Sequence, residues 1–172
     1  MIASKKYDIA SRILHWISAI IILWATVSGI LISYFDVSES AKNFVGNFNV
    51  SLTTVFIPIF IFRVLNRLKL GAPTYNEILS GFEKRAALVT HMLLYIITTV
   101  VLVSGYLMMD TGINVFEIVE LPVLIHEQDT QKMFEYLHTA SNHLLALLIF
   151  CHVAAVIKHE IKGIHVYRRM AI

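Results

Sequence analysis

The chain has 172 residues, 57% of them hydrophobic and only 15% charged, and its mean hydropathy is +0.70. A water-soluble domain of this length needs far more charge to cover its surface, so a soluble enzyme is excluded. The formal charge of +2 comes with no basic stripe interleaved with aromatics, which excludes a DNA or RNA partner, and the single cysteine, Cys151, excludes an internal disulfide.

Four stretches lack Asp, Glu, Lys and Arg: residues 13–35, 43–62, 86–109 and 136–157. A bilayer core of roughly 30 Å takes about 20 helical residues, so each predicts a transmembrane helix. The first is too long and too Trp-rich for a signal peptide and has no small-residue cleavage site after it; it reads as a retained helix with His15 near its start. Residues 36–42 lead into the second, which opens on the polar "NFVGNFNVSLTT" and contains Pro58. Proline is tolerated in a membrane helix where neighbours cover the freed carbonyl. Arg63 and Arg67 follow, then a connector, "NRLKLGAPTYNEILSGFEKR", with Gly71 and Pro73 marking its turn. The third span carries His91. Residues 110–134 form a loop whose "INVFEIVELPVLI" is apolar enough to lie on the membrane face or cap the bundle as a lid. The fourth span carries His138, His143 and His152, with His159 just beyond it, and the tail, "KGIHVYRRMAI", reads as a basic inner-surface segment. With no repeat, linker or composition shift, residues 1–172 read as a single membrane domain.

Four spans put both termini and the middle connector on one side. That side carries every Lys and Arg except Lys42 and Lys132, twelve of the 14, whereas the opposite loops carry eight of the 12 acids. The asymmetry predicts an all-α transmembrane four-helix bundle with both termini in the cytoplasm.

His138 and His152 are 14 residues apart. At about 100° per residue this is some 40° short of four full turns, so both lie on nearly one face, about 21 Å apart along the axis. His143 points about 140° away from that row. Ionisable groups in a span are costly, usually face the bundle interior and usually have a function. Neutral imidazole ligates iron well, and haem b is a flat apolar cofactor that two axial side chains clamp between helices. Two histidines on one face at two depths predict haem sites near the two membrane surfaces. His15 and His91 both reach the depth of His152, and the sequence leaves its partner open between them. His126, His143 and His165 read as loop, lateral-face and tail residues. A zinc site fits worse, since it needs three or four ligands at one depth and no H-E-x-x-H occurs.

With these motifs the chain resembles the bacterial cytochrome b561 family of four-helix membrane haem b proteins, which includes superoxide oxidase. The resemblance covers nearly the whole length. It is carried by "LHW" with His15, "FRVLNRLK" with Arg63 and Arg67, "THMLLY…SGYLMM" with His91, and above all "YLHTASNHLLALLIFCHVAAVIKH" with His138, His152 and His159. The resemblance implies that His15 pairs with His152 on an inner haem, that a second-span histidine pairs with His138 on an outer haem, and that His159 lies near a quinone pocket. It further implies a place in the bacterial inner membrane and electron transfer between an outside donor, superoxide in the best-defined case, and ubiquinone.

One departure stands out. Counting back from Arg63 and Arg67, the second-span histidine falls at Asn49, and the usual glycine four residues on falls at Thr53. An amide oxygen is a poor iron ligand. The outer haem is then absent, five-coordinate on His138, or reached by another group such as His126. The expectation is one haem b on His15 and His152, two if the outer site is completed, exchanging electrons with quinone near His159, Arg63 and Arg67. The two arginines are also candidates for the haem propionates, and equally for solvated positive-inside residues. Superoxide:ubiquinone oxidoreductase activity requires the outer site. A carrier for a partner redox protein, or a bundle that has lost its haem and serves as a membrane adaptor, are the competing readings.

Overall fold

The computed structural model describes residues 6–71, 73 and 79–171. Lys5, counted above among the inner basic residues, and connector residues 72 and 74–78 lie outside the described residues. The elements are α1 (Ile9–Tyr34), α2 (Glu39–Leu70), α3 (Gly81–Leu107), strands β1 (Ile113–Val115) and β2 (Val119–Leu121), α4 (Gln128–Ile161) and a short 3₁₀ turn, Val166–Arg169. All four helices are long and apolar enough to cross a membrane, as the charge-free stretches predict.

Each of α1 to α4 begins before its charge-free stretch, and α2 and α4 also run beyond theirs at the far end. At about 1.5 Å per residue α2 is about 48 Å long, well over the roughly 30 Å of hydrocarbon, so its ends reach headgroup depth, where charge is solvated. The ends are set by local chemistry. Asp8 caps α1, its carboxylate accepting from Ser11 N–H at 2.9 Å, and hydrogen bonds from Ser11 hold that carboxyl below the usual carboxylate range. Ser38 caps α2, and Ser80 with Glu83 forms a full capping box on α3. Gly71, at φ +66°, ends α2 with its N–H on the Arg67 carbonyl. Pro58 lies inside α2 without breaking it.

The interior mixes small hydroxyl side chains with a few large apolar ones, Phe56, Phe60 and Leu145, and the exterior is large and apolar. Ser18, Thr26, Ser51, Thr98, Ser104 and Ser141 are buried, while Trp24, Phe62, Phe82 and Phe150 face outward. Lipid offers helices no hydrophobic drive to associate, so small side chains that let backbones approach make up much of the buried set. The hydroxyls of Ser18 and Ser104 satisfy themselves on the carbonyls one turn back, Leu14 and Val100, each at 2.6 Å. Helix α1 packs closely on α2, and α3 on α4. Contact between these two helical hairpins is sparse, leaving a seam down the bundle.

The two ends are closed differently. At one end the loop expected to act as a lid folds into an antiparallel β-hairpin, with Ile113 opposite Leu121. Its turn sets Phe116 and Glu117 at φ +51° and +60°, left-handed positions usually filled by Gly, Asn or Asp, so no turn motif announces it. The buried Ser51 hydroxyl fastens it to α2, donating to the Asn114 carbonyl and accepting from Phe116 N–H, each at 3.1 Å. Both termini meet at the other end, the inner one in the orientation predicted from charge. There the tail, expected along the membrane surface, folds back across the bundle. Tyr7 N–H donates to the Arg169 carbonyl, Trp16 Nε1–H to Met170 and Arg12 to Ala171. Arg169 is only 2% exposed, stacks over Tyr7 and donates to the Pro73 carbonyl.

Candidate functional site

The seam holds two layers of polar side chains separated by aromatic rings. In the inner layer His91 of α3 and His152 of α4 meet edge to face, ring centroids 5.2 Å apart. His15 of α1 lies within electrostatic reach of both. It also contacts Arg63 of α2, whose guanidinium donates to His15 Nδ1 at 3.1 Å. All three imidazoles are half-buried. Arg63 stacks on Tyr95 at 5.2 Å, and Arg67, one turn on, lies over Tyr7 at 5.7 Å. Outward from this layer Tyr95, Phe60 and Phe56 form a continuous column of ring contacts, 6.0 and 5.6 Å between centroids.

Beyond Phe56 lies the outer layer, a cleft with about 830 Å³ of atom-free space bordered by all four helices and by Ile113 of the hairpin. His138 is its one imidazole. The ring donates from Nδ1 to the Val101 carbonyl at 3.0 Å, with Ser104 Oγ at 3.4 Å from the same atom, while the Asn142 amide lies 3.2 Å from Nε2. A carbonyl only accepts, so the proton sits on Nδ1 and the lone pair on Nε2. Gly105 provides the seat: a Cβ there would lie 2.9 Å from His138 Cε1. Across the cleft Asn49 pairs with Ser28 of α1, its amide nitrogen donating at 2.9 Å, while Thr53 turns its hydroxyl back to the Asn49 carbonyl at 2.7 Å.

The remaining histidines separate as their positions suggest. His143 is exposed on the lateral face, bonded to Tyr34 OH at 2.9 Å. His165 pairs with Glu160 in the tail at 2.7 Å. His126 is exposed in the outer loop and does not border the cleft. His159, at the inner end of α4, is half-buried and its Nδ1 is buried without a hydrogen-bond partner. No cluster of three or more His, Cys, Asp or Glu with metal-binding geometry occurs among the described residues.

Sequence reasoning passed over four contributors: Gly105, Asn142, Ser28 and Tyr95. Asn142 follows His138 by one helical turn and had a local signal. Gly105 sits in the "SGY" already singled out, but its role depends on α4 lying against it. Ser28 and Tyr95 are on other helices from their partners, and only helix pairing reveals them. No curated protein matches the chain. A family model described as prokaryotic cytochrome b561 matches residues 6–171.

Proposed function

Because the chain belongs to the prokaryotic cytochrome b561 family, we propose that it carries electrons in the bacterial inner membrane between haem b, held in the inner layer of the seam, and the ubiquinone pool. The observation that carries this reading is the ring contact of His152 with His91, with His15 within electrostatic reach of both and bonded to Arg63. The donor set fits: neutral imidazoles on both walls of the seam, with guanidiniums next to them. Haem, when bound, supplies the one-electron chemistry; the protein supplies ligation, burial and charge.

Topology favours His15 as the partner of His152. His91 and His152 belong to the same helical hairpin, so they reach the seam from one wall. His15 comes from the other wall, and a flat cofactor clamped in the seam needs one ligand from each. In this reading His91 orients the His152 ring. The contact between Arg63 and His15 has a consequence for loading. A guanidinium only donates, so Arg63 occupies a lone pair of His15 and must turn away when the imidazole serves iron. Arg63 and Arg67 would then be the groups to pair with the carboxylates that haem carries. His159 lies seven residues beyond His152, about 10 Å further along the axis, at headgroup depth. Its unpartnered Nδ1 is suited to hydrogen-bond a quinone head group. Both termini are assigned to the cytoplasm from the basic asymmetry.

A reduced-minus-oxidised spectrum with a haem-to-protein ratio tests the proposal. The purified protein is expected to show a low-spin b-type spectrum, and His152→Ala is expected to abolish it. A full-amplitude low-spin spectrum in that variant would end the assignment. Oxidation of superoxide is expected to be weak beside relatives with two bis-histidine haems, which favours the carrier reading over the enzyme. The partner redox protein is then the donor or acceptor at the outer face.

A further inference from the structure

We infer that the outer cleft is a one-sided iron site that admits a small neutral gas ligand, with His138 as its single imidazole and the amide of Asn49 as the hydrogen-bond donor on the opposite wall. This deepens the proposed function and rests on haem b being the cofactor. Three sets of observations carry it.

The first is space beside a prepared imidazole. The cleft is bordered by all four helices, and the small side chains of Thr26, Gly29, Thr53 and Gly105 leave room beside His138. His138 donates to the Val101 carbonyl, which fixes its tautomer, sets its ring and leaves the Nε2 lone pair for a metal. Asn142, one turn along the same helix, now holds that lone pair through its amide, and rotation of one side chain frees it. Gly105 lets the ring lie directly against α3.

The second is the opposite wall. Asn49 is on α2, across the seam from α4. Its amide is tied to Ser28, with the Ser28 hydroxyl 3.2 Å from Oδ1 and the amide nitrogen 2.9 Å from that hydroxyl. One amide hydrogen is used there, and the second is free to point into the cleft. A carboxamide so held donates well and ligates iron poorly.

The third is the lack of a substitute ligand. His126 is exposed and away from the cleft. Met108 borders it, but as the C-cap of α3, in the same helical hairpin that supplies His138. Thr53 and Thr54 spend their hydroxyls on carbonyls of their own helix. The position facing Asn49 is therefore open to a ligand that brings no charge, crosses lipid and accepts a hydrogen bond, which describes a diatomic gas. Binding is the whole of the step, and no electron is transferred in it.

Carbon monoxide is the probe. Titrated into the dithionite-reduced holoprotein, it is expected to shift one spectral component, about one equivalent per chain, and to leave the low-spin component unchanged. Asn49→His is expected to turn the responsive component low-spin and weaken its response by about tenfold or more. His138→Gly is expected to lose the response, and added imidazole to restore it, a check that holds should the Asn49 variant fail to fold. A low-spin spectrum with no carbon monoxide response would overturn the inference, as would two low-spin haems in the native protein or an unaltered response in Asn49→His. A native preparation that binds no haem at all would instead end the reading on which the inference rests.

Discussion

The inner layer of the seam has three imidazoles drawn from both helical hairpins, His91 and His152 in ring contact and His15 held by Arg63, while the outer cleft has one imidazole facing open space. Ligand supply and room for a cofactor are thus encoded by different residues. Histidines supply the first, and a charged neighbour, Arg63, keeps His15 engaged. Small side chains supply the second: Gly29, Thr26, Thr53 and Gly105 all border the cleft. The aromatic column of Phe56, Phe60 and Tyr95 keeps the layers apart, so changes in one are expected to leave the other in place.

That separation can be broken by substitution. The largest effect is expected at the inner layer. His15→Ala should remove the low-spin spectrum as fully as His152→Ala, whereas His91→Ala should keep the spectrum and alter only its shape or midpoint potential. Loss in His91→Ala with retention in His15→Ala would reverse the ligand assignment and place both ligands on one hairpin.

A smaller effect is expected from Gly105→Ala. The added methyl would lie 2.9 Å from His138 Cε1, and one of the two must move. Because the methyl would be fixed to the α3 backbone and meets the His138 side chain, the ring should be driven off its seat, costing on the order of 1–3 kcal/mol as other overpacked sites do. The carbon monoxide response should fall while the low-spin spectrum stays whole. Equal loss in both components would show that the layers are coupled through helix packing.

The smallest expected change is in His159→Ala. Haem content should be untouched and quinone-linked oxidation slowed, read by stopped-flow with a soluble ubiquinone analogue. Haem loss in this variant would mean that His159 supports the inner layer and not the quinone.

Much of the fold was legible in the chain. Burying a charge in hydrocarbon is costly enough that gaps between charges locate the helices. The helical repeat alone set His138 and His152 on one face, and both do border the seam. Other features left no trace. The outer hairpin turns through Phe116 and Glu117, residues that seldom adopt left-handed backbone, and is held by Ser51 about 63 to 65 residues away. The tail's basic composition suggested a surface segment, yet its backbone carbonyls bind Tyr7, Arg12 and Trp16.

By itself, then, the sequence determined that this is a four-span helical membrane protein, which helix carries each histidine of the seam, and that position 49 lacks an imidazole. Those properties follow from solvation cost and helical period, which act within one segment. Which helices pair, and so which wall of the seam each histidine occupies, was decided only in the tertiary structure. Pairing in lipid rests on close approach of small residues such as Ser18, Ser104 and Gly105, whose fit depends on the partner surface and has no period of its own. That is why His15 and His91 were equivalent by depth and became distinct once α1 packed on α2 and α3 on α4.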